Sequence, residues 1–170
     1  MKTLWTPWRM EYIGGKKDRE PGCIFCAAKN QPHSAKDLIL YRNAALVVLM
    51  NRFPYANGHL LVAPSRHLAD LSDLGDEENT EIGAMLTRCT TILRQTLNPD
   101  GFNIGLNLGQ AAGAGLADHL HWHIVPRWLG DHNYMTILAE VRTIPEHIEK
   151  IFARLLPEFQ NGSCSTKKPG

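Results

Sequence analysis

The chain of 170 residues is long enough for one domain with a full core. Its 44% apolar and 21% charged content is ordinary for a soluble globular protein, and a net charge of +1 argues against strong electrostatic binding to nucleic acid or an anionic membrane. No apolar stretch approaches the ~20 residues that cross a bilayer, and Met1–Trp8 lacks the apolar centre of an export signal, so a cytoplasmic location is expected.

Residues 1–34 read as an irregular arm in which Trp5, Trp8 and Tyr12 are candidate anchors and Gly14-Gly15-Lys16-Lys17-Asp18 an exposed loop. The arm carries Cys23-x-x-Cys26. A reducing compartment disfavours structural disulfides, so metal binding is the better reading of the pair; redox chemistry or plain apolar packing beside Ile24 and Phe25 are the alternatives. Leu38 to Asn51 predicts a hairpin turning at Arg42-Asn43, and His59 to Ala63 a third strand beyond the Pro54 and Gly58 breakers. Asp76 is the expected N-cap of a long helix reaching about Leu97, with Ile82, Met85, Leu86, Cys89 and Leu93 on its buried face. Asn98-Pro99-Asp100-Gly101 ends it, and Phe102 to Asn107 is a fourth strand.

After a Gly- and Ala-rich loop comes a fifth strand, His119 to Val125, stopped by Pro126. A last helix is expected over about Pro145 to Leu156, and the polar stretch Gln160 to Gly170 as a disordered tail. The pattern implies an α+β domain: a mainly antiparallel sheet of about five strands, one long and one C-terminal helix on one face. The expected division is arm 1–34, catalytic domain 35–159 and tail 160–170.

His119-Leu120-His121-Trp122-His123-Ile124-Val125 carries the functional signal. Alternate side chains of a strand share a face, so three imidazoles would line one side, with Leu120, Trp122 and Ile124 filling the other. Each ring must place polar nitrogens, which makes the row poor core material. On a regular strand, with a rise of about 3.3 Å, the outer pair would lie roughly 13 Å apart at Cα. All three could not then share one metal, which leaves at least one imidazole for other chemistry.

This segment resembles the signature of the histidine triad superfamily of nucleotide hydrolases and transferases. Asn51, Gly58-His59-Leu60-Leu61-Val62-Ala63-Pro64 with His67, and Asn107-Leu108-Gly109 resemble its supporting segments. Trp5-Thr6-Pro7-Trp8-Arg9 and Pro126-Arg127-Trp128-Leu129-Gly130-Asp131 are similar to a bacterial branch that includes diadenosine tetraphosphate phosphorylases. The resemblance implies that His121 attacks the α-phosphorus of a nucleotide to form a nucleotidyl-histidine, with His123, His119 and His59 completing the catalytic set. It implies nucleotide contacts from Asn51 and Asn107, and from a glycine loop in which Gln110, Gly113 and Gly115 approach phosphate. Phe25, Trp128 and Tyr134 are candidates for stacking on a base. It further implies a closed zinc site of Cys23, Cys26, His67 and His119, typical of a structural role, and a homodimer.

One departure stands out. Phosphoramidase members carry Gln-Ser, and fragile-histidine-triad members Gln-Thr, four and three residues before the first triad histidine, where this chain has Gly115-Leu116. The reading that leads is cleavage or transfer of a nucleoside monophosphate group from dinucleoside polyphosphates. Hydrolysis of small adenylylated compounds, non-catalytic nucleotide binding and a zinc-binding scaffold are its alternatives.

Overall fold

A computed structural model of the chain describes residues 22–32, 36–131 and 146–161. Trp5, Trp8, Tyr12, Tyr134 and Pro145, and the tail beyond Asn161, lie outside these residues. The elements run α1 (Ile24–Ala28), β1 (Ile39–Arg42), β2 (Leu46–Met50), β3 (Leu60–Pro64), α2 (Asp76–Leu97), β4 (Gly101–Leu106), β5 (Trp122–Arg127) and α3 (Ile148–Gln160). The five strands form one antiparallel sheet in the order β1-β2-β3-β5-β4, the α+β architecture that the sequence implies.

β2 and β3 are buried along their whole length because both faces of the sheet centre are covered. Leu46, Val48, Met50, Leu60 and Val62 pack on one side with Ile82, Met85, Cys89, Ile92 and Leu93 of α2 and Ile151, Phe152, Leu155 and Phe159 of α3. The alternate residues Val47, Leu49, Leu61 and Ala63 meet Phe25 and Ala28 of α1 on the other side, as the two-residue period of a strand requires. The segment expected to be irregular thus holds a short helix, tied to β1 by the Arg42 guanidinium, which donates to the carbonyls of Ala28 (2.9 Å) and Gln31.

Element ends depart from expectation for local reasons. The hairpin turns at 43–45, one residue later, because Asn43 Oδ1 accepts from the amides of Ala45 and Leu46 at 2.9 and 2.8 Å. Gly75, not Asp76, is the N-cap of α2, and the Glu78 carboxylate accepts its amide at 3.0 Å. Asn98 closes that helix with a left-handed backbone, φ +48°. α3 runs on to Gln160 through Pro157. The buried stripe Ile151, Phe152, Leu155 and Phe159 outweighs the one backbone bond that a proline removes near a helix end.

The largest difference falls on the histidine segment. β5 begins at Trp122 and continues through Pro126 to Arg127, so only His123 lies on the strand. The ladder with β3 reaches Val62 and Trp122 and goes no further, close to Pro64, which has no N–H to donate. Upstream, the chain is held instead by the Leu120 amide, which donates to the Leu68 carbonyl at 2.7 Å.

Candidate active site

His123 faces the side of the sheet that α1 covers, opposite Leu61 on β3 and Gly105 on β4. On the other side Ile124 is fully buried and Trp122 packs half-buried against the helices, as expected. Although His119 and His121 precede the strand, the four histidines still gather: His121 and His123 have ring centroids 5.0 Å apart, and His59 and His123 5.2 Å. Phe25 packs 5.0 Å from both His119 and His121. With no exposed surface, its ring offers no open face for a base to stack on; what it supports is the pair of imidazoles.

Backbone partners assign the imidazole protons. A carbonyl oxygen only accepts, so the 2.8 Å contact of His121 Nδ1 with the His119 carbonyl puts the proton on Nδ1. The lone pair of neutral His121 then lies on Nε2. The same logic at 2.9 Å places the His119 proton on Nε2, donated to the Pro64 carbonyl, and leaves Nδ1 as a lone pair. His59 Nδ1 accepts from the Tyr55 amide at 3.1 Å, so its Nε2 donates to His123 Nδ1 at 2.9 Å.

Burial keeps all four rings neutral. It is the largest cause at each, lowering His59 to about 3 and His123 to about 4, with neighbouring histidines adding to both. His121 and His119 also lie below the ordinary imidazole value, again through burial, opposed by their bonds to backbone carbonyls. Neutral imidazole with an outward lone pair is a nucleophile. Cys89, by contrast, is an inert core thiol pushed up to about 12 by burial.

His119 also joins a second cluster. Ligand atoms of Cys23, Cys26, His67 and His119 lie within 4.8 Å of one another. His119 Nδ1 is 3.1 Å from Cys23 Sγ, 3.7 Å from Cys26 Sγ and 3.2 Å from His67 Nδ1, and Cys26 Sγ is 3.3 Å from His67 Nδ1. Bonds of about 2.0 Å to nitrogen and 2.3 Å to sulfur give a tetrahedron edges of roughly 3.3–3.8 Å, so the donor set and its spacing fit zinc. Burial pushes the Cys23 thiol up, a tendency that a bound cation reverses.

The other expected contacts are placed less simply. Asn51, half-buried, sets Nδ2 3.3 Å from His59 Nδ1 and accepts the Phe53 amide at 3.0 Å through Oδ1. Asn107 follows β4 and faces the loop, since a Cβ added at Gly113 would lie 4.0 Å from its Nδ2. Gly109 (φ +74°) and Gly113 (φ +87°) take the left-handed backbone that glycine permits. Gln110, Gly113 and Gly115 are exposed, but the Gly113 amide bonds back to Gln110 at 2.9 Å and is turned into the loop. Trp128 donates its indole N–H to the Asn98 carbonyl at 3.1 Å. Tyr55 and Pro64 were not singled out from the sequence. An aromatic between the Pro54 and Gly58 breakers, just ahead of His59, was the available signal for Tyr55; a carbonyl partner such as that of Pro64 leaves none.

A five-stranded antiparallel sheet that collects neutral histidines beside a cysteine–histidine cluster defines a histidine-triad type of site. The HIT domain model matches residues 33–129. The chain is 38% identical over 152 residues to an AP-4-A phosphorylase of Mycobacterium tuberculosis, covering 86% of this chain and 78% of that one. A HIT-like protein of Saccharolobus solfataricus is 30% identical over 114 residues, 66% of this chain and 79% of its own. Among solved structures, a zinc-bound histidine triad family protein from Mycobacterium smegmatis superposes with a TM-score of 0.63 at 29% identity, covering 82% of this chain and 94% of that one. The chain belongs to the HIT domain family and is an enzyme of that family.

Proposed function

We propose that the enzyme cleaves dinucleoside polyphosphates such as diadenosine tetraphosphate by transferring a nucleoside monophosphate group through His121. The observation that carries this reading is the His121 Nδ1–His119 carbonyl bond of 2.8 Å, which leaves Nε2 as the nucleophile. In the first step Nε2 forms a bond to the α-phosphorus as the bond to the bridging oxygen breaks, and a nucleoside polyphosphate leaves. In the second, phosphate or water attacks the same phosphorus and releases the nucleotide from the histidine. The identity with an AP-4-A phosphorylase supports phosphate as acceptor. His123 Nε2–H stands as the donor for phosphoryl or leaving oxygens, and Asn51, Asn107 and the 109–115 loop as the nucleotide-facing groups.

Zinc, held by Cys23, Cys26, His67 and His119, supplies a closed structural cross-link from the N-terminal segment to the triad; the zinc-bound relative supports this assignment. Thiolate ligands persist under reducing conditions, in keeping with a cytoplasmic setting. We also expect a homodimer. β4 is an edge strand of the sheet formed by the described residues, Ile104 on it is 46% exposed, and an open edge is a ready pairing surface. Light scattering is then expected to give about twice 19.0 kDa.

Turnover of diadenosine tetraphosphate with and without phosphate, with products separated by anion exchange, tests the reaction. ADP plus ATP formed only with phosphate is the expected result. AMP plus ATP without phosphate would make the enzyme a hydrolase, and no turnover in either condition would rule out this substrate class.

A further inference from the structure

Tyr55 lies in the 51–59 loop, which closes on itself: the Asn51 amide donates to the His59 carbonyl at 2.9 Å and the His59 amide to the Ala56 carbonyl at 3.2 Å. Within it, Tyr55 meets His59 twice. Its backbone amide donates to Nδ1 at 3.1 Å, and its ring stacks on the imidazole with centroids 5.0 Å apart and planes inclined by 27°. The stacked ring also lies 6.3 Å from His123.

We infer that Tyr55 is a positioning residue that gives the His59–His123 hydrogen bond a single direction, and so keeps His123 Nε2 a donor toward the reacting phosphoryl group. The inference deepens the proposed nucleotidyl transfer and rests on it.

A backbone amide always donates, so His59 Nδ1 always accepts. A neutral imidazole has one N–H, which at His59 must then be on Nε2, and His123 Nδ1 accepts it at 2.9 Å. His123 in turn carries its own proton on Nε2. Turning the His59 ring over would set Cδ2–H against the Tyr55 amide and Cε1–H against His123, breaking both hydrogen bonds, and the stacked Tyr55 ring opposes that motion. His59 is fully buried, which disfavours a second proton that would remove the directionality. Asn51 Nδ2, 3.3 Å from the same Nδ1, donates in the same sense.

The test reads tautomers and turnover together. Long-range proton–nitrogen correlation spectra of protein labelled with 15N at histidine, recorded at neutral pH, are expected to show His59 and His123 protonated at Nε2. Tyr55→Ala keeps the backbone amide but removes the stacked ring, so the His59 imidazole should turn out of both hydrogen bonds part of the time and its signal become a mixture of tautomers. Its kcat for diadenosine tetraphosphate should fall about tenfold with KM unchanged, a part of the contribution usual for a placed proton donor. Tyr55→Phe, which keeps the stacked ring, should restore both. A wild-type His59 protonated at Nδ1, or a Tyr55→Ala protein with wild-type tautomers, would overturn the inference. If the wild-type enzyme turns over no dinucleotide, the proposed reaction fails, while the spectra still decide the direction of the relay.

Discussion

Three backbone groups decide where the protons sit in this site: the His119 and Pro64 carbonyls and the Tyr55 amide. The price is four neutral imidazoles held in the protein, and it appears at acid pH. An unfolded chain binds a proton at each histidine near pH 6.5, whereas folded His59 and His123 do so only at about 3 and about 4. Between these limits the unfolded state holds more protons, so this contribution to stability is complete above about pH 6.5 and is lost as pH falls toward 4 and then 3. Each such proton is worth about 1.4 kcal/mol per pH unit. The urea midpoint should therefore fall between pH 7 and pH 5, and fall less in His59→Asn. Equal midpoints would show that these rings titrate in the folded protein as they do in the unfolded chain. The residue types were legible because alternating histidines and Cys-x-x-Cys are rare patterns; the tautomers were not, since their partners are main-chain atoms brought near by folding.

At the scale of elements, Gly58 joins the 51–59 loop to β3 and sits against α2. Its φ is +72°, and a Cβ there would lie 2.4 Å from Leu97 Cδ1 and 3.2 Å from Leu93 Cδ2. Gly58→Ala combines a left-handed backbone penalty with overpacking, about 2–4 kcal/mol together, and should lower Tm by roughly 5–10 °C. An unchanged Tm would mean that the loop is not clamped to α2. Apolar alternation showed β2 and β3, and helical spacing showed α2, so the sheet and the long helix were readable. The end of the triad strand was not, because it depends on which way Pro64 presents its backbone. Nor was α1, whose few residues owe their helix to Phe25 and Ala28 burying themselves against the sheet.

For the whole molecule, one histidine links two sites. His119 offers Nδ1 to the Cys23–Cys26–His67 cluster and its carbonyl to His121. Purified protein should carry about one zinc per chain. Stripping it should cost on the order of 2–3 kcal/mol, lowering Tm by roughly 5–10 °C with restoration on adding zinc. A Tm indifferent to chelation, in protein first shown to contain zinc, would contradict a structural role. The proposed chemistry turns on the lone pair at Nε2 of His121. Its most direct test is intact-mass spectrometry of the enzyme quenched during turnover of diadenosine tetraphosphate without phosphate. An adduct of one adenylyl group, mapped to His121 and absent from His121→Ala, is the expected result. An adduct on another residue, or persistence of the adduct in His121→Ala, would contradict it.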